Sequence, residues 1–259
     1  MRSLVVRVMS STLILAGRVS AQLVFEPQLV GTSTEGAYSP RLDCGDIDGD
    51  GDLDVVFSFD VDSVDVGYEV FLNDGTGQLV HASVTKISQP IKGLRLVDLD
   101  GDLKLDLVTA NGPAIKLRRG AGNATFGPAE LVYATPSGNA TQLAVADLTG
   151  DGLPDVIVFE NDVVSLLPGH GDGTVLAPVA IANVAPQIAY GVRTADLDGN
   201  GVTDVVVLAR DVSQPTQFFC VANVYLGALD GSYSFADSYP MGDLADLALG
   251  ALDNDGLPD

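Results

Sequence analysis

From about residue 40 to its end, the chain alternates short apolar runs with polar, glycine-rich connections. The runs hold two to four valine, isoleucine, leucine or phenylalanine residues, as in Val55-Val56-Phe57, Val156-Ile157-Val158-Phe159 and Val205-Val206-Val207-Leu208. Runs this short do not make helices, and their β-branched content favours strands buried on both faces. No stretch of a dozen residues shows helical periodicity. The pattern therefore predicts an all-β fold.

An acidic loop separates two of these apolar runs at five places. The first copy is Asp46-Ile47-Asp48-Gly49-Asp50-Gly51-Asp52-Leu53-Asp54. The copies span 46–54, 98–106, 147–155, 196–204 and, in degraded form, 251–259, so their first positions are 52, 49, 49 and 55 residues apart. A period of this size indicates one supersecondary unit that stacks on copies of itself.

The apolar runs of each repeat predict four strands. One apolar run enters the acidic loop, a second leaves it, and a third, such as 68–72 or 222–226, leads into a glycine-rich turn before a fourth strand. Asn/Asp-Gly turns between strands are strong hairpin signals. Four antiparallel strands in about fifty residues are typical of a propeller blade. We expect a β-propeller with about four complete blades and the start of a fifth. This would be an incomplete ring, and we interpret the sequence as a fragment of a longer protein.

The loop pattern resembles a known repeat. An Asp-x-Asp-x-Asp-Gly-x-x-Asp loop between apolar strands, followed by a glycine-rich hairpin, resembles the FG-GAP repeat of integrin α-subunits and its VCBS-type bacterial relatives. The Phe-Gly and Gly-Ala-Pro elements that give the repeat its name are mostly missing, with only loose matches at Tyr190-Gly191 and Asn111-Gly112-Pro113. The chain therefore lies nearer the VCBS-type form. The resemblance covers nearly all of residues 40–259. It implies a calcium-binding propeller over residues 22–259, in which the backbone carbonyl of Asp52 also binds the metal.

The loops themselves indicate a metal site. Carboxylates at alternate positions of a glycine-bent turn form a cage for a hard cation such as calcium. An EF-hand would need a glutamate at position 12, where these loops have Phe57, Thr109, Val158 or Val207, so the acid at position 9 closes the cage instead. The candidate metal ligands are Asp46, Asp48, Asp50, Asp52 and Asp54; Asp98, Asp100, Asp102 and Asp106; Asp147, Thr149, Asp151 and Asp155; Asp196, Asp198, Asn200 and Asp204; and Asp253, Asp255 and Asp259.

The copies differ as metal sites. The first is the most complete, whereas the fourth has Asn200 at position 5, the third Thr149 at position 3 and the fifth Ala251 at position 1. In the second, Leu103 replaces the glycine of position 6. If that position needs a positive φ, a leucine there costs on the order of 1 kcal/mol. The alternative for every copy is a plain Asp/Asn/Gly turn that holds no metal.

Charge and the amino terminus limit the function. The chain has 35 acidic and 13 basic residues, a net charge of −22, and 18 of the acids lie in the five loops. Such a charge argues against nucleic-acid or anionic-membrane partners. It also works against acidic polysaccharides, unless bound calcium reverses the local sign. Residues 1–21 have the basic start, short apolar stretch and small residues before Gln22 of a cleaved signal peptide. No other stretch reaches the roughly 18 apolar residues of a membrane span. We expect a secreted or cell-surface protein without membrane insertion.

The reactive side chains predict no enzyme. Neither His81 nor His170 belongs to a catalytic constellation, and the sequence has no nucleophile elbow, phosphate loop or His-rich metal cluster. Cys44 and Cys220 lie in different repeats and are expected to be buried free thiols. The alternative is a disulfide, which would require these two repeats to be neighbours in space. Two functions remain. One is a secreted, calcium-stiffened interaction module for adhesion or ligand capture, with a protein or glycan partner; the other is a carbohydrate-active propeller, either a lectin or a polysaccharide lyase.

The partner is expected on the face opposite the acidic loops. The connections between the second and third strands are longest in the first and fourth repeats, and variable loops on a rigid scaffold often bind partners. We hypothesise that Asp62, Asp65, Arg210 and Phe218 contribute to a contact surface. The alternative is that both segments are neutral surface insertions.

Overall fold

The computed structural model of the chain describes residues 41–61, 65–160, 162–185, 187–211, 219–242 and 249. The proposed signal peptide and the fifth acidic loop lie outside these residues. The described residues form sixteen strands: β1 Leu42–Gly45, β2 Asp54–Asp60, β3 Val66–Asn73, β4 Leu79–Ile87, β5 Gly93–Val97, β6 Asp106–Asn111, β7 Ala114–Arg118, β8 Glu130–Ala134, β9 Ala140–Ala146, β10 Asp155–Glu160, β11 Val163–Leu167, β12 Val179–Asn183, β13 Ile188–Ala195, β14 Asp204–Asp211, β15 Phe219–Gly227 and β16 Tyr233–Gly242.

The strands form four blades. Each run of four consecutive strands makes one antiparallel sheet in chain order, and we call these sheets blades 1 to 4. The prediction of an all-β propeller with four-stranded antiparallel blades is therefore confirmed. Over the described residues the blades form an open arc rather than a closed ring. The same part of the chain contains no helix with the length and apolarity to cross a membrane.

The acidic loops join the first two strands of every blade in the same register. The residue before each loop pairs with the ninth loop residue, which begins the second strand: Gly45 with Asp54, Val97 with Asp106, Ala146 with Asp155 and Ala195 with Asp204. The four described loops are therefore structurally equivalent, and differences between them come from their side chains.

The core lies between the blades. The first strands of consecutive blades contact one another, so β1, β5, β9 and β13 lie side by side. Apolar residues of facing sheets pack into one cluster between each pair of neighbouring blades. The second strands β6 and β10 are buried at every residue, as their unbroken apolar runs predict. Stacking on a neighbour thus supplies the burial that a single blade lacks.

The expectation of two buried thiols is wrong for Cys44. Cys220 is buried in blade 4, but Cys44 is exposed, and neither forms a disulfide. On β1 the Asp43 side chain points towards blade 2, where it accepts the backbone N–H of Leu96 at 2.8 Å. Side chains alternate along a strand, so Cys44 points to the opposite face, against which no described blade packs.

Candidate metal centres at the acidic loops

The last aspartate of each described loop is buried and ties the loop to the hairpin between the third and fourth strands. Asp54, Asp106, Asp155 and Asp204 are all 0% exposed. One carboxylate oxygen accepts the N–H of loop position 2 and the other accepts an N–H at the start of the hairpin. The N–O distances are 2.7–3.1 Å, and the donors are Ile47 and Asn73, Leu99 and Gly120, Leu148 and Gly169, and Leu197 and Gly227. Loop and hairpin therefore share one face of the blade.

The first aspartate bends the loop around itself. Asp46 accepts the N–H of Gly49 through Oδ1 at 2.7 Å and that of Gly51 through Oδ2 at 3.0 Å. Asp98, Asp147 and Asp196 accept the equivalent pairs of N–H groups in their own loops. The residue at position 6 takes a positive φ throughout, from 93° at Gly51 to 67° at Leu103. The leucine of the second loop therefore occupies a backbone conformation that favours glycine.

Three of the described loops gather carboxylates closely enough to hold a metal ion. In each group the ligand atoms lie within 4.8 Å of one another, and the groups are Asp46, Asp48 and Asp50; Asp98, Asp100 and Asp106; and Asp196, Asp198 and Asp204. Within the described residues the third loop, which has Thr149 at position 3, forms no such group of carboxylates. The oxygen-only donor set suits a hard divalent cation.

The first loop has no internal counter-charge. Among the described residues, no lysine, arginine or histidine lies within 4 Å of its carboxylates. Desolvation and repulsion from Asp50 raise the pKa of Asp48, and Asp54 and Asp46 add to the effect. Negative charge held together in this way favours a bound cation.

The second loop is neutralised from within. Arg119 bonds the Asp100 carboxylate through Nη1, and Lys104 Nζ lies 2.7 Å from Asp102 Oδ2. The hydrogen bond from Lys104 lowers the pKa of Asp102. Asp102, which Lys104 engages, is not part of the close carboxylate group of its own loop. Two of the charges that a metal would compensate already have a partner.

Arg119 also joins two blades. Its Nη2 donates to the carbonyl of Asp172, in the hairpin of blade 3, at 3.0 Å, and its Nε lies 3.3 Å from Glu130. Arg119 directly precedes the hairpin residue that donates to Asp106, where the other blades have Leu72, Pro168 and Leu226. Sequence reasoning missed this residue. The available signal was the basic pair 118–119 immediately before a hairpin glycine in a very acidic chain.

The hairpins carry a second repeated feature that sequence reasoning missed. An Asp or Asn side chain accepts both the N–H and the hydroxyl of the Ser or Thr two residues later, at 2.6–3.2 Å. The pairs are Asp74 with Thr76, Asn123 with Thr125, Asp172 with Thr174 and Asp230 with Ser232. These bonds lower the pKa of Asp74, Asp172 and Asp230. The signal is an Asp/Asn-x-Ser/Thr triplet in every hairpin.

The structure separates the residues of the hypothesised contact surface. Asp65 lies in blade 1, with its carboxylate 2.8 Å from Lys86 Nζ, whereas Arg210 is exposed near the end of β14 in blade 4. Asp62 and Phe218 lie outside the described residues. The contact surface stays a prediction.

The repeat is shared with a known family. A model of the FG-GAP-like repeat matches residues 46–109, 98–158 and 147–207, which together span more than half of the chain. Each match starts at the first aspartate of one acidic loop and ends in the strand after the next. The chain belongs to the FG-GAP-like repeat family. No curated protein sequence matches it.

Two solved structures show similarity to this FG-GAP-like repeat protein. A lectin from Agrocybe aegerita, described for specific recognition of non-reducing terminal N-acetylglucosamine, matches with a TM-score of 0.51 and 17% identity over 75% of this chain and 65% of the lectin. The Tc holotoxin pore of Photorhabdus luminescens matches with a TM-score of 0.44 and 17% identity over 89% of this chain and 10% of the pore chain. The chain thus spans just under two thirds of the lectin and a tenth of the pore protein. At this identity, the lectin supports the fold alone.

Proposed function

We propose that this FG-GAP-like repeat protein is a secreted or cell-surface interaction module that captures a protein or glycan ligand, as in adhesion. Calcium in the acidic loops stiffens its blades. The module binds its ligand without turning it over. The observation that carries the proposal is the grouping of Asp46, Asp48 and Asp50 within 4.8 Å in a loop that lacks a basic partner among the described residues.

Calcium suits these loops better than magnesium. It accepts six to eight oxygen ligands in flexible geometry, whereas magnesium requires near-ideal octahedral geometry and dehydrates reluctantly. In the first loop the side chains of Asp46, Asp48, Asp50 and Asp54, with the Asp52 carbonyl, would hold the ion. In the fourth loop the ion would be held by the side chains of Asp196, Asp198, Asn200 and Asp204. The third loop is a weaker site because a hydroxyl replaces a carboxylate at position 3.

Metal binding in such a loop would stabilise the whole blade. The buried aspartate at position 9 already connects the loop to the hairpin through two backbone N–H groups. An ion held by the same loop therefore fixes four strands at once, and its binding free energy adds to the free energy of folding. The extracellular space supplies calcium, which agrees with the proposed signal peptide at residues 1–21.

Calorimetric titration with calcium and with magnesium, together with thermal melting in EDTA and in calcium, tests the proposal. We expect calcium to bind more tightly and to raise the melting temperature. The double variant Asp48→Asn/Asp198→Asn should lose most of this effect. Asp237→Asn removes the same type of charge from β16, outside the loops, and serves as the control. Identical melting curves in EDTA and in calcium would exclude the metal.

A carbohydrate-active propeller is the second candidate. It is favoured by one observation, the shared fold with a lectin described as recognising N-acetylglucosamine. A glycan array with and without calcium tests this candidate, because a protein that binds no glycan in either condition cannot be carbohydrate-active. Shortening of bound polysaccharide chains would identify a lyase.

A further inference from the structure

A cleft of about 270 Å³ lies between blades 1 and 2, towards the end of the blades remote from the acidic loops. One wall is the end of β4 and the connection after it, with Lys86, Ser88 and Gln89. The other wall is formed by Asn111, the last residue of β6, and by Lys116 and Arg118 on β7. Three of the chain's 13 basic residues therefore line one small cleft, although acidic residues number 35 in all.

The strand register explains why the cations face this cleft. Lys116 pairs with Thr109 and Arg118 with Leu107, and Leu107 packs in the apolar cluster between blades 1 and 2. Lys116 and Arg118 therefore point from blade 2 towards blade 1. At the equivalent positions blade 3 has Ser165 and Leu167, and blade 4 has Asn223 and Tyr225. The basic pair is thus a feature of this cleft and not of the repeat.

Two of the three cations have no carboxylate partner in the described part of the chain. Lys86 lies 2.8 Å from Asp65, but no described carboxylate lies within 4 Å of Lys116 or Arg118. Arg118 is held by the carbonyl of Gly127 at 3.3 Å and by the ring of Tyr68, 5.8 Å from its guanidinium. Both cations are partly buried. A cation that has lost part of its hydration without gaining a counter-charge favours an anionic ligand.

We propose that this cleft binds the oxyanion group, carboxylate or sulfate, of an acidic saccharide. Lys116 and Arg118 hold the oxyanion, and the polar side chains of Ser88 and Gln89 face the sugar hydroxyls. The volume is just below the range of about 300–1,000 Å³ for drug-sized ligands, which fits one sugar ring and not an extended peptide. The inference rests on the proposed function, because it names the chemical class of the module's glycan ligand.

Calorimetric titration of the full chain at fixed calcium tests the cleft. The probes are glucuronate, glucose 6-sulfate, glucose, inorganic sulfate and a short glutamate-rich peptide. We expect the two acidic sugars to bind saturably and glucose not to bind. Lys116→Gln should weaken binding about tenfold or more, the loss expected for one charge-assisted hydrogen bond. The highly exposed Lys86→Gln should weaken it less and cannot disturb the core. Lys104→Gln removes the same charge near the acidic loops and should leave the affinity unchanged.

Other outcomes would overturn the inference. These are no saturable binding of either acidic sugar, binding that survives Lys116→Gln and Lys86→Gln together, and tighter binding of sulfate or of the peptide than of the sugars. Thermal melting of each variant shows whether a lost affinity reflects unfolding. Calcium stabilisation is measured without any sugar, so failure of the cleft and failure of the proposed metal function give different results.

Discussion

The first and second acidic loops share a backbone and differ in how their charge is balanced. Both bend around a first aspartate, and both are tied to the hairpin by a buried ninth aspartate with two N–H donors. In the first, carboxylates face one another and the pKa of Asp48 is raised. In the second, Arg119 and Lys104 supply positive charge. The acidic motif therefore fixes the shape of a loop, while residues outside its pattern set how the charge of that loop is balanced.

The second blade also carries the backbone strain that the first lacks. Among the described residues, the only positions other than glycine with positive φ are Leu103 and Ala124, and both lie in blade 2. Leu103 stands in the acidic loop where the first has Gly51, and Ala124 in the hairpin where blade 1 has Gly77. Blade 2 thus keeps the shared geometry without the residues that adopt it most easily.

Removing the buried ninth aspartate should have the largest effect and should not distinguish the loops. Asp54→Ala and Asp106→Ala each leave two backbone N–H groups without an acceptor. A buried unsatisfied group costs about 1–3 kcal/mol, so we expect each variant to lose about 3–5 kcal/mol. Urea unfolding in EDTA measures this loss, with Asp237→Ala as the surface control. Losses that differ widely between the two variants would show that the loops are not built alike.

Calcium should separate the two loops. At a calcium concentration one hundred times the dissociation constant, one filled site adds about 2.7 kcal/mol to the free energy of unfolding. Asp48→Asn should abolish the contribution of the first loop and, because it relieves repulsion, cost little stability in EDTA. Asp100→Asn should lower stability in EDTA, since it loses the Arg119 partner, and leave the calcium response intact. Thermal melting in calcium and in EDTA measures both effects. A calcium response that is lost in Asp100→Asn and kept in Asp48→Asn would contradict the comparison.

Replacing the internal cation should make the second loop resemble the first. Arg119→Leu introduces the residue found at this position in blades 1 and 4, at Leu72 and Leu226. We expect a loss of about 1–3 kcal/mol in EDTA, because the partly buried Asp100 loses a charged hydrogen bond. Added calcium should restore part of the loss through a newly measurable site in calorimetry. A loss of the same size in calcium would mean that Arg119 acts by joining blades 2 and 3, not by replacing a cation.

Much of the fold was predictable because its signals are local and repeated. The period of about fifty residues, the apolar runs and the Asn/Asp-Gly turns predicted four-stranded blades, and the structure confirms them. The backbone strain at Leu103 was also predictable, because a leucine stands where the other described loops have glycine. The structure gives this leucine a φ of 67°. The pairing of Arg119 with Asp100 was not, because the two residues are 19 positions apart and meet only once the hairpin folds back over the loop. The cleft between blades 1 and 2 was not predictable either, because it depends on which face of each strand meets the neighbouring blade.

The smallest expected effect tests the strain in the second loop. Leu103→Gly removes a left-handed leucine, which costs about 1–2 kcal/mol, and adds the unfolded-state entropy of a glycine, which costs about 0.4–1 kcal/mol. The leucine is 93% exposed, so little packing is lost. We expect a net gain of about 0.5–1 kcal/mol in urea unfolding. Leu229→Gly is the matched control, because Leu229 is 90% exposed and is not among the positive-φ residues. It should lose stability through the glycine entropy alone. If both variants lost the same amount, Leu103 would be unstrained, and the difference between the loops would rest on charge alone.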